Sequence, residues 1–299
     1  MRNLLSVSIA AATCMLMFGG SHAVAADTPV DRTVKADPGG TVVVENVAGD
    51  VLVQGWDRPE VHVTGRLQSG VERLDVTADG PRTNVRVVVP RGASRNVEAF
   101  LVIKVPATSA LDVSTVSADI KVTDISGAER LRSVSGDMRV PVTGAATEIK
   151  TVSGDLVLQG NGAAADLHVS TVSGDVMLTR SAGALDLTTV SGDVSAELRP
   201  LASLRMRSTS GDFRLRGQLT RDARVDMETV SGDVHIDAPA EAGFATEIGT
   251  FSGDIDNCFG AKAEEPEHGP GARLNIVRGV GGAKLRVKTL SGDVTLCDR

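Results

Sequence analysis

The stretch Thr171-Val172-Ser173-Gly174-Asp175-Val176 recurs whole at Thr189 to Val194 and at Thr229 to Val234, and in close variants from Ser117 to the end of the chain. Asp119, Asp137, Asp155, Asp175, Asp193, Asp212, Asp233, Asp254 and Asp293 each close a Ser-Gly-Asp or Ser-Ala-Asp triplet. Their spacings are 18, 18, 20, 18, 19, 21, 21 and 39 residues. A period near 20 marks a solenoid, in which no single repeat can bury its apolar face alone.

Counting back from the triplet Ser, apolar residues fall six and four positions before it, as in Leu167 and Val169, Leu185 and Leu187, Leu204 and Met206. Counting forward from the Asp, they fall one and three after it, as in Val176 and Leu178, Phe213 and Leu215, Val234 and Ile236. Both runs alternate with period two, so each rung holds two strands with one inward face. The parity breaks at the triplet, which makes it a corner. Gly supplies the positive φ that a corner asks for, and the Asp carboxylate can accept turn N–H groups. The expectation is an all-β fold, a right-handed parallel β-solenoid (β-helix) with rungs of about 18–21 residues. Short Gly-rich runs such as Gln159 to Ala165 and Thr179 to Ala184 read as its outer turns.

Residues 26–110 read as irregular N-terminal rungs and a cap, with strands at Thr41–Glu45, Val51–Gln54, Val61–Thr64, Leu74–Thr77, Val85–Val89 and Leu101–Val105. Residues 111–299 read as the regular solenoid, with a Gly-, Pro- and acid-rich loop inserted at 257–272 and a strand after it at Arg273–Val277. Five positions before the triplet Ser, the rungs in chain order carry Asp186, Arg205, Asp226, Glu247 and Arg286. Opposite charges facing each other across strands support such a register. The same pairing partly neutralises the arginine cluster Arg199, Arg205, Arg207, Arg214, Arg216, Arg221 and Arg224. Anion binding by that cluster is the alternative to a solvated, paired face.

At the N-terminus Arg2, the apolar run Leu4 to Phe18 and the small residues Ala23, Ala25 and Ala26 read as a signal peptide at 1–25. The chain is thus expected to be exported, to the periplasm or the cell surface, with no transmembrane anchor in the mature protein. Cys258 and Cys297 each lie four residues after their Asp. In an oxidising compartment such a pair is expected to form one disulfide that pins the last rung. A formal net charge of −7 argues against a nucleic-acid partner. One Trp, six Phe and no Tyr leave few aromatic faces for stacking sugars or bases.

Three sets of residues are candidates for chemistry. The Asp ladder could hold cations, but it lacks the Gly-Gly-x-Gly-x-Asp repeat of calcium-binding rolls and reads as structural corners. Thr115, Ser133, Thr151, Thr171, Thr189, Ser208, Thr229, Thr250 and Thr289 precede the corners in register, and parity turns them inward. His62, His168 and His235 occupy outward positions, His235 in register with Arg214 and Asp256. His268 with Glu264, Glu265 and Glu267 reads as an acidic loop rather than a metal site. No catalytic residue, metal or cofactor is therefore expected.

The recurring motif, together with Val47-Ala48-Gly49-Asp50-Val51-Leu52-Val53-Gln54-Gly55-Trp56-Asp57, resembles the bacterial putative-adhesin family of β-strand repeats, which includes the LiaG-like proteins. The resemblance spans about Val42 to Leu296. It implies a β-solenoid in an exported, non-enzymatic protein that serves as an adhesin or an envelope-associated scaffold. The implied partner is an envelope or surface component, protein or polysaccharide. A carbohydrate-active β-helix enzyme acting on envelope or extracellular polysaccharide is the alternative.

Overall fold

Period-two alternation of Leu, Val and Ile with polar residues builds strands, and among the described residues all regular structure is β. The structure is a computed structural model that describes residues 27–92, 95–237, 243–265, 270–280 and 282–298. The signal segment at 1–25, Glu267 and His268 lie outside the described residues.

The repeat is β-solenoid-like. Two stacks of parallel strands meet at the Ser-Gly-Asp corners. Strands that enter the corner are the first half of β7 (Ala110–Thr123), β8 (Glu129–Arg132), β10 (Thr147–Lys150) and β12 (Ala164–Ser170). Strands that leave it are the second half of β7, β9 (Met138–Val142) and β11 (Leu156–Gly160). Further along, β13 (Val176–Thr188), β14 (Val194–Ser210) and β15 (Phe213–Ser231) each run from one corner nearly to the next. Here the expected outer turn at Thr179 to Ala184 is extended strand, with register shifts near Thr179 and Gly183 that absorb unequal rung lengths.

Inward residues stack on their equivalents. Val113, Leu131, Ile149, Val169, Leu187, Met206, Met227 and Val287 form one buried column. Ile120, Met138, Leu156, Val176, Val194, Phe213, Val234 and Val294 form the facing one. Each buried aliphatic side chain contributes about 1.5–3 kcal/mol, and their continuity joins the rungs into one core.

At both ends the stacking order departs from the chain order. β2 (Thr41–Trp56) pairs in parallel with β7 on one side and with β5 (Arg82–Val88) and β6 (Glu98–Pro106) on the other. Beyond these lie antiparallel strands. β4 (Arg73–Asp79) lies on β5, β3 (Glu60–Leu67) on β6, and β1 (Thr28–Lys35) on β3. Thus the β5–β6 rung is slipped beneath β2, after the chain has already laid down its edge.

The far end repeats the device. After β15 and β16 (Val234–Asp237) the chain skips one place and forms the outermost rung, β17 (Phe244–Ser252) and β18 (Ile255–Asn257). It covers β17 with antiparallel β19 (Ala272–Arg278), then returns as β20 (Ala283–Ser291) and β21 (Val294–Cys297) to fill the gap. β20 therefore lies between β15 and β17, and β21 between β16 and β18.

This corrects the order expected for the outward charges. Chain order sets Glu247 beside Asp226, whereas Arg286 lies between them in the structure. The column then runs Asp112, Arg130, Glu148, His168, Asp186, Arg205, Asp226, Arg286, Glu247, alternating acid with base throughout. Replacing the like-charged neighbours Asp226 and Glu247 by the opposite pair Asp226 and Arg286 favours the inserted order by a few tenths of a kcal/mol.

Cys258 and Cys297 are joined by a disulfide with their Cα atoms 4.9 Å apart. The bond pins the last rung of the chain, which carries Cys297, to the outermost rung above it. It closes a 39-residue separation. Cys258→Ser is expected to lower stability by about 3 kcal/mol, read as a shift in the urea midpoint that reducing agent reproduces in the parent protein.

Candidate functional site

At the eight Ser-Gly-Asp corners the Gly carries a positive φ, 115° at Gly154 and Gly174, and packs on a neighbouring rung, while Ala118 stands at the first corner. The corner Asp are exposed apart from the half-buried Asp137, and the Oδ1 of one accepts the N–H of the Asp on the neighbouring rung. Asp193 N lies 2.9 Å from Asp175 Oδ1, and Asp212 N 2.9 Å from Asp193 Oδ1. The chain of bonds continues through Asp233 and Asp293 to Asp254, following the spatial order. All nine Asp of the triplets thus join one ladder, begun at Asp119. Asn keeps the acceptor, so Asp175→Asn is expected to leave stability within about 0.5 kcal/mol, whereas Asp175→Ala costs about 1 kcal/mol by removing the partner of the Asp193 N–H. Thermal melts of the two variants distinguish these outcomes.

Thr151, Thr171, Thr189 and Thr229 are buried, and each donates its Oγ1–H to the carbonyl of the triplet Ser two residues on. With Thr turned inward, the next residue must turn outward. Val116, Val134, Val152, Val172, Val190 and Val230 are between 45% and 51% exposed, and Leu290 and Phe251 continue their line. Backbone bonds from Ser135, Ser153, Ser173, Ser191 and Ser210 to the Val carbonyl of the previous rung, and strand register beyond them, place these side chains in one row. Thr209 occupies the remaining place. An exposed apolar row therefore runs beside the acidic row, separated only by Ser and Gly. Parity carried this signal, since an inward Thr dictates an outward Val.

The other charged columns are paired. Arg130 reaches Glu148 at 2.8 Å, Arg207 reaches Glu228 at 3.3 Å and Arg286 reaches Glu247 at 3.5 Å. Hydrogen bonds from Lys150 and Arg130 hold the Glu148 carboxyl down at about 2. Within the arginine cluster, Arg205, Arg207 and Arg216 are paired with Asp186, Glu228 and Asp237. Among the described residues, the corner Asp have no such cationic partner.

His235 is not beside Asp256, because Thr295 lies between them in the stack. Its Nε2 instead meets Asp237 Oδ1 at 3.0 Å, while Arg216 donates Nε–H and Nη2–H to Asp237 Oδ2 at 3.2 and 3.1 Å. Asp237 is buried and fully partnered, so the trio is a closed ion-pair cluster. A shallow groove of about 590 Å³ runs along the foot of the acidic row, floored by Val157, Met177, Ser195, Arg214 and His235. Among the described residues no group of three His, Cys, Asp or Glu is arranged to hold a metal. Glu264 lies opposite Arg273 in a backbone bridge.

One buried acid escaped sequence reasoning. Glu129 stands six before the triplet Ser135, at an inward position, and is 3% exposed. Neither carboxylate oxygen has a hydrogen-bond partner, and burial pushes its pKa up to about 8.

Two overlapping stretches of the chain, residues 40–203 and 101–297, match the family described as Toastrack DUF4097. The protein belongs to this family. No curated protein matches the chain. Among solved structures it is similar to a putative adhesin from Bacteroides fragilis, with 13% identity over 91% of this chain and 98% of that one, at a TM-score of 0.45. It is also similar to a putative adhesin from Parabacteroides distasonis, with 13% identity over 92% and 98% at a TM-score of 0.42. A putative lipid binding protein from the same species shows 14% identity over 90% and 96% at 0.43. Among the described residues no helix is long and apolar enough to cross a membrane.

Proposed function

We propose that the chain is an exported, non-enzymatic scaffold, a right-handed β-solenoid that binds an envelope or surface component in an adhesin-like role. The observation that carries this reading is the exposed apolar row. Soluble proteins seldom keep a contiguous apolar surface in water unless it meets a partner. Membership of the Toastrack family and the signal-like residues 1–25 agree with it. The proposed organisation is a leader at 1–25, an N-terminal cap at 26–110 and a regular solenoid at 111–299 with its loop at 257–272. The proposed place is the periplasm or the cell surface. Acidic corners serve geometry in this reading, and no cofactor, metal or nucleic acid takes part.

The test is co-sedimentation of the purified mature protein with envelope fractions, with the supernatant assayed for released sugar. Saturable binding without release is expected. Release of sugar fragments by the pure protein would overturn the reading in favour of a polysaccharide-active enzyme.

A further inference from the structure

The geometry points to a particular partner chemistry for the corner ridge, namely a basic amphipathic helix laid along the stack. The inference rests on the binding reading above and names what the ridge binds. Two surpluses support it, and neither is required by the fold. Thr209 shows that a polar β-branched residue fits the outward position, yet six other rungs place Val there. Asn would satisfy the corner N–H as well as Asp does, yet every triplet carries the charge. The acidic row has no cationic partner among the described residues, whereas the neighbouring charged column alternates in sign. A complementary ligand must therefore present apolar and cationic groups side by side, at a repeat close to the rung spacing.

Rungs repeat about every 4.8 Å. An extended peptide repeats its same-face side chains at about 6.8 Å and drifts out of step within two residues of one face. A helix repeats at about 5.4 Å per turn, so its mismatch of about 0.6 Å per turn reaches half a rung only after about four turns. A helix of about 15 residues, with a leucine-like stripe flanked by Lys or Arg, matches the ridge best. A second copy of the ridge or an anionic bilayer would bring acid against acid. Sugar rings favour aromatic faces, and the ridge offers only Phe251.

The test titrates the full mature protein into a labelled 16-residue Leu/Lys amphipathic peptide and reads fluorescence anisotropy. Binding should be micromolar and should weaken steeply with salt. The triple variant Val152→Thr, Val172→Thr, Val190→Thr should lower affinity at least tenfold. The triple Asp155→Asn, Asp175→Asn, Asp193→Asn should lower it similarly at low salt and flatten the salt dependence. Thr already stands at the equivalent position 209 and Asn keeps the oxygen that accepts the corner N–H, and unchanged melting curves confirm that each variant folds. No binding by the Leu/Lys peptide, unchanged affinity in the valine triple, or equal binding of a Ser/Lys peptide of the same charge would each overturn the inference. So would a dimer that the valine triple abolishes without any peptide binding. Envelope capture that persists without peptide binding sinks this inference alone. Loss of envelope capture with peptide binding intact sinks the broader reading alone.

Discussion

Glu129→Leu is expected to stabilise the protein by an amount that grows with pH. Glu129 opens β8 in register with Leu111 on one side and Thr147 on the other, inside the core. The folded state holds the carboxyl proton up to about pH 8, while the unfolded chain releases it near the ordinary value of 4.5. A pKa raised on folding contributes stability that is complete below 4.5 and is lost as pH rises towards 8. The interval of about 3.5 units corresponds to about 5 kcal/mol in all. Leu fits the site, since Leu111 and Leu167 stand in the same column. Urea unfolding of both proteins at pH 5, 7 and 9 should show the advantage of the variant growing by about 4 kcal/mol across that range. An advantage independent of pH would show that Glu129 is not buried and unpartnered as described.

The second large effect is expected at the corners. A Cβ added at Gly174 would stand 2.3 Å from the Gly154 carbonyl oxygen, on a backbone whose φ is 115°. The strain of that conformation costs about 1–3 kcal/mol, and the overlap with a fixed backbone atom adds a similar amount. Gly174→Ala should therefore cost about 4 kcal/mol. Gly162→Ala is the control, because its Cβ would meet nothing within 4 Å although its φ is 90°. Chemical denaturation of the pair separates crowding from strain. Equal losses would mean that close stacking of corners is not what demands Gly174.

Much of this architecture is legible in the sequence because a β-rung is a local object. The inward pairs around each triplet and the glycine corner follow from parity and spacing within about 20 residues. Stacking order is different, since it is a long-range choice made at the ends. β5 and β20 are each inserted beside a strand that the chain had already placed, and no local pattern announces such a return. One signal was nevertheless present. In chain order Asp226 and Glu247 are like-charged neighbours, and only the placement of Arg286 between them restores alternation. Strand β1 was missed because Thr28–Lys35 is mostly exposed and pairs only at the edge. Glu129 was legible by counting from Ser135, though its charge disguised an inward position.

The apolar row follows from the same parity that buries Thr, yet its meaning depends on the third dimension. Val in a strand is ordinary core by composition. Only the stack shows eight apolar side chains left in water beside an acidic row that has no cationic partner among the described residues.

The order of both rows at the far end depends on the last rung lying between the Asp233 and Asp254 rungs. The direct measurement is oxidative cross-linking of paired cysteines on the outer face. Glu228 and Lys288 are register partners, whereas Glu228 and Gly249 are separated by Lys288. The inserted order predicts ready disulfide formation in Glu228→Cys/Lys288→Cys and none in Glu228→Cys/Gly249→Cys, where two rungs put the Cα atoms about 10 Å apart. Cross-linking of the second pair and not the first would contradict the inserted order and the charge alternation it restores.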